Sequence, residues 1–182
     1  MTPAEHPLPR EHVRAPEQKI MTLAEAVEWR RVLKDSGRQL VVTNGCFDLM
    51  HRGHVEYLAR AREVGDSLLV AINSDASISA IKGPGRPVVP EDDRAYTVAS
   101  LEAVDAVVVF STPKALGLIR QLTPNVYVKG GDYTVETIDQ EERVLLDDIG
   151  ARIVFVTLVS GFSTTEIIRT VRKGGQVGKD EG

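Results

Sequence analysis

Apolar residues recur along this chain in two alternating rhythms. One is a short continuous run, seen at Gln39 to Thr43, Ser67 to Asn73, Ala106 to Phe110, Val126 to Val128 and Arg152 to Thr157. Runs this short, with no apolar–polar alternation, predict strands buried on both faces of a sheet. The other rhythm repeats every three to four residues and predicts helices near Val55 to Val64, Pro90 to Leu101, Pro113 to Leu122, Asp139 to Ile149 and Thr164 to Arg172. A further helix is expected from Thr22, with Glu25 completing a capping box, Leu23, Ala26, Val27, Arg30 and Leu33 forming the stripe, and Gly37 ending it. Because strand and helix alternate, the chain is expected to form an α/β open parallel sheet of about five strands with helices on both faces. The two ends lack either rhythm. Residues 1–20, rich in proline and charge, are expected to stay loosely ordered or pack as an arm, and residues 173–182 to form a polar, glycine-rich tail, leaving one domain over residues 21–172.

Composition narrows the partner. The 182 residues, 42% hydrophobic and 26% charged, suffice for one core without disulfides or structural metals. A net charge of −4 weighs against nucleic acid as the partner, while leaving room for a local basic pocket around a small anion. A single cysteine cannot form an intramolecular disulfide, and there is neither a secretory leader pattern nor an apolar run of membrane-spanning length, so the expectation is a cytoplasmic protein with no membrane contact.

The unusual polar clusters all follow strands: TNGCFDLMHRGH after the first run, NSDAS after the second, KGGDY after the fourth and SGFSTTE after the fifth. In open parallel sheets ligands bind outside the carboxyl ends of the strands, where helix N-termini also point, so one shared cleft is expected. Within HRGH, His51 and His54 can donate hydrogen bonds to phosphate oxygens, Gly53 permits close backbone approach, and the helix start adds free N–H groups. As a bare tetrapeptide the same residues also fit a pair of structural histidines. A zinc site is disfavoured, because the chain has four histidines and one cysteine and no further ligands at suitable spacing. Neither GxGxxG after the first strand nor GxxxxGK[ST] is present, which argues against a dinucleotide-dependent oxidoreductase and a P-loop kinase.

Taken in order from about Met21 to Arg172, TNGCFDLMHRGHVEYLARARE, LLVAINSDAS, KGPGRPV, EDDR, VKGGDY and GFSTTEII resemble the cytidylyltransferase-like superfamily of nucleotidyltransferases. They look most like its heptose 1-phosphate adenylyltransferases, often fused to a sugar kinase, which make the nucleotide sugar of the lipopolysaccharide inner core. The resemblance implies a Rossmann-like sheet, ATP and a sugar 1-phosphate as substrates, Mg²⁺ carried by the nucleotide phosphates, and direct in-line attack with loss of pyrophosphate. A separate kinase is then expected to supply the phosphorylated sugar, and a homodimer is common in similar enzymes.

The same resemblance implies roles for individual residues. Thr43, Asn44, Gly45, Cys46 and Phe47 would cradle the nucleotide through backbone groups, with His51, Gly53 and His54 holding the triphosphate. Lys129, Gly130, Asp132, Ser163, Thr164 and Thr165 would also serve the nucleotide, while Asp48, Asn73, Asp75, Lys82, Arg86 and Arg94 would face the substrate phosphate. His51, His54 and Lys82 would be catalytic, and no protein side chain is expected to ligate metal. Structural alternatives stand beside several of these. Cys46 reads equally as a small buried hydrophobe, Asp48 as a brace accepting backbone N–H bonds, and Asn73 with Asp75 as a turn and helix cap. Arg94 can instead pair with Glu91 on a helix surface, and Ser163, Thr164, Thr165 and Glu166 read as a capping box that doubles as an anion site. The last motif, SGFSTTEII, lacks the arginine-led form of glycerol 3-phosphate and phosphoethanolamine cytidylyltransferases, the nearest alternative activity. A non-catalytic nucleotide-binding module is the alternative of a different class, and the intact HRGH with Lys82 argues against it.

Overall fold

Six parallel strands carry the fold in the computed structural model, which describes residues 14–131, 134, 137–157, 164–172 and 174. In chain order the elements are β1 (Ile20–Met21), α1 (Leu23–Asp35), β2 (Leu40–Gly45), α2 (Arg52–Arg62), β3 (Ser67–Asn73), α3 (Asp75–Lys82) and α4 (Glu91–Ala99). There follow β4 (Ala106–Phe110), α5 (Leu116–Leu122), β5 (Val126–Gly130), α6 (Gln140–Asp148), β6 (Arg152–Val156) and α7 (Thr164–Arg172). The strand order is β1-β4-β3-β2-β5-β6, with every pairing parallel. The chain therefore builds outward from β2 through β3 to β4, then crosses back to lay β5 and β6 on the other side. That reversal opens a crevice above the carboxyl ends of β2 and β5.

Side chains alternate across the central strands, so each strand feeds two cores. Leu40 and Val42 of β2 join Ala26 and Leu33 of α1, Ile119 of α5 and Leu146 of α6 on one face. Val41 joins Leu58 of α2 and Val98 of α4 on the other. The capping box at Thr22 forms as expected, with Thr22 Oγ1 accepting from Glu25 N at 3.3 Å and Glu25 Oε2 accepting from Thr22 N at 2.7 Å. Arg30, placed by sequence in the apolar stripe of α1, is buried because it caps α5, donating to the carbonyls of Leu122 at 3.1 Å and Thr123 at 2.9 Å.

The structure adds two elements that the apolar rhythm does not predict. β1 is only two residues long, yet Ile20 and Met21 pair with Val107 and Val108 at the sheet edge. A 3-10 turn at Pro16–Gln18 precedes it, and Lys19 is buried with its ammonium on the carbonyl of Leu101 at 3.1 Å. Part of the stretch expected as an arm, from residue 14 onward, is thus packed against the sheet. α3 occupies the segment read as a turn followed by a loop. Ser74 caps it, accepting from Ser77 N at 3.2 Å, and it buries only Ser77 and Ile78, too sparse a stripe to register as a helical period.

Candidate active site

The turn from β2 to α2 is held in a conformation that side chains rarely adopt. Phe47 and Leu49 have φ of 48° and 49°, and such strain persists only where surrounding contacts enforce it. Asp48 supplies that enforcement. It is 2% exposed and accepts hydrogen bonds from Val88 N at 3.1 Å, Val89 N at 3.0 Å and Arg86 Nε at 2.8 Å. Burial alone would raise its pKa, but the N–H groups of Val89 and Val88 and the Arg86 guanidinium together hold it below the ordinary carboxylate value. Of the two roles open to Asp48 from sequence, the geometry is that of the brace, tying the turn to the loop after α3. Thr164 Oγ1, at the start of α7, donates to the carbonyl of Asp48 at 2.9 Å and brings that helix end to the same turn.

At the N-terminus of α2, His51 and His54 stack with ring centroids 3.9 Å apart and planes 28° apart, and Phe47 leans on His54 at 5.5 Å. His54 is pushed down to about 4, first by burial and then by the charges of His51 and Lys82, with Asp48 opposing weakly. Burial also lowers His51. Both rings are therefore neutral near pH 7 in the free protein, and each then offers one N–H rather than a charge. Lys82, the last residue of α3, is exposed and close enough for its charge to act on His54. Gly53 is buried in the first turn of α2. His54 Nδ1 and Arg86 Nη2 are buried without a hydrogen-bond partner, a cost that the fold itself does not explain.

Arg94 differs from both sequence readings. It is 1% exposed and pairs with Asp75 rather than with Glu91. Its guanidinium donates to the carbonyls of Val89 at 2.9 Å, Cys46 at 2.7 Å and Asn73 at 2.9 Å, and to Asp75 Oδ1 at 2.7 Å. Four of its five N–H groups are thereby used in joining the ends of β2 and β3 to the loop between α3 and α4. Asn73 is likewise buried, with Nδ2 on Ser77 Oγ at 3.0 Å, and Asp75 opens α3 beside Arg94. Asn73 and Arg94 thus have their side chains engaged by the protein itself, while the Asp75 carboxylate, paired with Arg94, stays partly exposed. Cys46 is half-buried, its carbonyl taken by Arg94.

Behind the turn, Thr43 is fully buried and shares a hydrogen bond with Tyr57 OH, which also donates to the Val128 carbonyl at 3.2 Å. The Tyr57 ring lies so close to Gly130 that a Cβ there would sit 2.6 Å from Cε2, so the close approach expected at this glycine is made by a side chain. On the opposite face, Asn44 Oδ1 accepts from Tyr127 OH at 2.7 Å and Lys129 Nζ at 3.2 Å, and Lys129 pairs with Glu142 at 2.8 Å. Thr165 is exposed. Asp132 and Ser163, with the capping box that Ser163 would begin, lie outside the described residues. Tyr57, Tyr127 and Glu142 were not singled out from sequence. For Glu142 there was a signal, an acidic residue at a core position of α6 in line with Leu145 and Leu146. Among the described residues no group of three or more His, Cys, Asp or Glu side chains can hold a metal ion. None of the described helices is long and apolar enough to cross a membrane.

A parallel sheet with a strand-order reversal, and a histidine-bearing turn opening a helix at that reversal, define an α/β nucleotide-binding architecture. A family model, cytidylyltransferase-like, matches residues 42–170. The chain belongs to the cytidylyltransferase-like family of nucleotidyltransferases. It is 47% identical over 156 residues to the Bifunctional protein HldE of Geotalea uraniireducens, covering 86% of this chain and 31% of that protein. It is 49% identical over 135 residues to the protein of the same name from Syntrophotalea carbinolica, covering 74% and 27%. The chain thus spans about a third of these relatives' length. A lipopolysaccharide core biosynthesis protein from Thermoplasma volcanium shares the fold, with a TM-score of 0.55, 23% identity, and coverage of 68% of this chain and 98% of that one.

Proposed function

We propose that the protein is an adenylyltransferase that joins AMP from ATP to a heptose 1-phosphate and releases pyrophosphate, in the cytoplasm. The observation that carries this reading is the His51–His54 pair, stacked at the N-terminus of α2 in a turn braced by Asp48, with the Lys82 charge beside it. The similarity to proteins named HldE supports the heptose and ATP part of it.

His54 and His51 offer N–H groups, and α2 its first backbone amides, to triphosphate oxygens in a site of lowered dielectric, where such donors are strong. Lys82 faces the charge that accumulates as the sugar phosphate oxygen approaches the α-phosphorus. Arg86 and Arg94 are positioning residues. One fixes Asp48, and the other fixes the carbonyl ends of the loops around the turn. The cleft's described donors suit phosphate oxygens, and its most buried carboxylate, Asp48, is already taken up by Arg86 and two amides. Mg²⁺ would therefore be held by phosphate oxygens and water, offsetting part of the triphosphate charge. The reaction needs no nucleophilic side chain, because the sugar phosphate attacks directly and the enzyme acts by positioning and charge stabilisation.

Pyrophosphate release with Mg²⁺ tests this, crossing ATP and CTP against D-glycero-D-manno-heptose 1-phosphate, glycerol 3-phosphate and phosphoethanolamine. Release is expected with ATP and the heptose phosphate. Release only with CTP and one of the other two substrates would overturn the assignment.

A further inference from the structure

At the amino ends of β2, β5 and β6, the end of the sheet away from His54, lies a polar cavity of about 540 Å³. Three cations line it, Arg30 and Lys34 from the C-terminal half of α1 and Arg152 from the first residue of β6. None of the three forms an ion pair with a described residue, in a chain whose 26 carboxylate side chains outnumber its 22 Lys and Arg. Among the described residues no carboxylate lines the cavity.

Arg30 makes the absence of a counter-charge costly. It is 7% exposed, with Nε and Nη2 on the carbonyls of Leu122 and Thr123 and Nη1 buried without a hydrogen-bond partner. A buried charge is ordinarily matched by an opposite one. Around it the lining offers donors. Lys34 and Arg152 are exposed, and Arg152 uses one N–H on the carbonyl of Val64 at 3.0 Å. Asn125 Oδ1 accepts from Leu40 N at 2.9 Å, which leaves its Nδ2 to donate. The C-terminal ends of α5 and α6 converge here, and by their dipoles would favour a cation. Their carbonyls are already taken. Arg30 holds those of Leu122 and Thr123, and the N–H groups of Ile149, Ala151 and Gly150 hold those of Leu145, Leu146 and Asp147.

We propose that this cavity is a second anion site that binds a phosphate group, with Lys34, Arg152 and Asn125 donating to its oxygens and Arg30 supplying the buried counter-charge. Three cations from separate elements suit the multiple charge of a phosphate better than the single charge of a carboxylate, and their confinement to one cavity suits a small anion rather than a polymer. Free phosphate and the pyrophosphate released in the proposed reaction both supply that chemistry.

Backbone-amide NMR of the full chain locates such binding without relying on turnover. Inorganic phosphate, pyrophosphate and acetate are titrated at constant ionic strength into wild type, Lys34→Gln and the Lys34→Gln/Arg152→Gln double variant, whose substitutions fall on exposed side chains. Saturable shifts are expected at the amides of Thr123, Asn125 and Gly150 with phosphate or pyrophosphate. Kd should rise in Lys34→Gln and by about tenfold or more in the double variant, with any response at His51 to His54 unchanged. The tighter of the two anions is then the occupant. Shifts that never saturate, that acetate reproduces at the same concentrations, or that persist unweakened in the variants overturn the inference, as does a response confined to the start of α2.

Discussion

In the proposed reaction His54 is the residue on which the chemistry turns, and its surroundings make two consequences measurable. His54→Ala is expected to lower kcat by about a hundredfold or more, the usual effect of losing one well-placed donor to developing charge, with the circular dichroism spectrum unchanged. Because burial and neighbouring cations push its pKa down from 6.5 to about 4, the folded state resists protonation that the unfolded chain accepts. Between those two values the unfolded chain binds more protons, so stability should rise with pH across that window. His54→Ala should flatten that part of the urea-midpoint profile, and an unchanged slope would contradict the assignment. HRGH and Lys82 were visible in sequence because short motifs carry side-chain identity. The setting of Arg94 was not, because three of its partners are the carbonyls of Cys46, Asn73 and Val89, and backbone atoms leave no mark on sequence.

Loops and helix ends are joined through two buried tie points, and each gives a stability prediction. Arg94→Met leaves the carbonyls of Val89, Cys46 and Asn73 without their donor, so urea unfolding should show a loss of about 3–5 kcal/mol, at about 1–3 kcal/mol for each unmatched group. Gly130→Ala drives a methyl into the Tyr57 ring between β5 and α2 and should cost about 1–3 kcal/mol by overpacking. Neither substitution removes a side chain that touches substrate, so a variant with lost activity and full stability would contradict the tie-point account. The strongly periodic elements, such as α1 with its capping box and β3 with its fully buried run, were legible from residue order alone. β1 and α3 were not. A two-residue strand is held by its pairing with Val107–Val108 and by Ile20 and Met21 packing on the two cores, and α3 buries a single apolar side chain, so their stability comes from neighbours rather than from their own pattern.

Across the whole molecule, strand order decides where the cleft opens. Alternating apolar runs predict a parallel sheet, but only the pairing of β2 with both β3 and β5 shows where the chain reverses. At the end of β2, side-chain alternation puts Thr43 beside Tyr57 of α2 and Asn44 beside Tyr127 on the other face of the sheet. As a nucleotidyltransferase, this chain transfers a nucleotidyl group and not a phosphoryl group, although its HldE relatives carry the name bifunctional over a length about three times that matched here. Tracing label from ATP into product separates the two chemistries. With heptose 1-phosphate and Mg²⁺, α-phosphate label should appear in a sugar nucleotide and γ-phosphate label only in pyrophosphate. γ-Label on the sugar, or α-label confined to free nucleotide, would contradict the account.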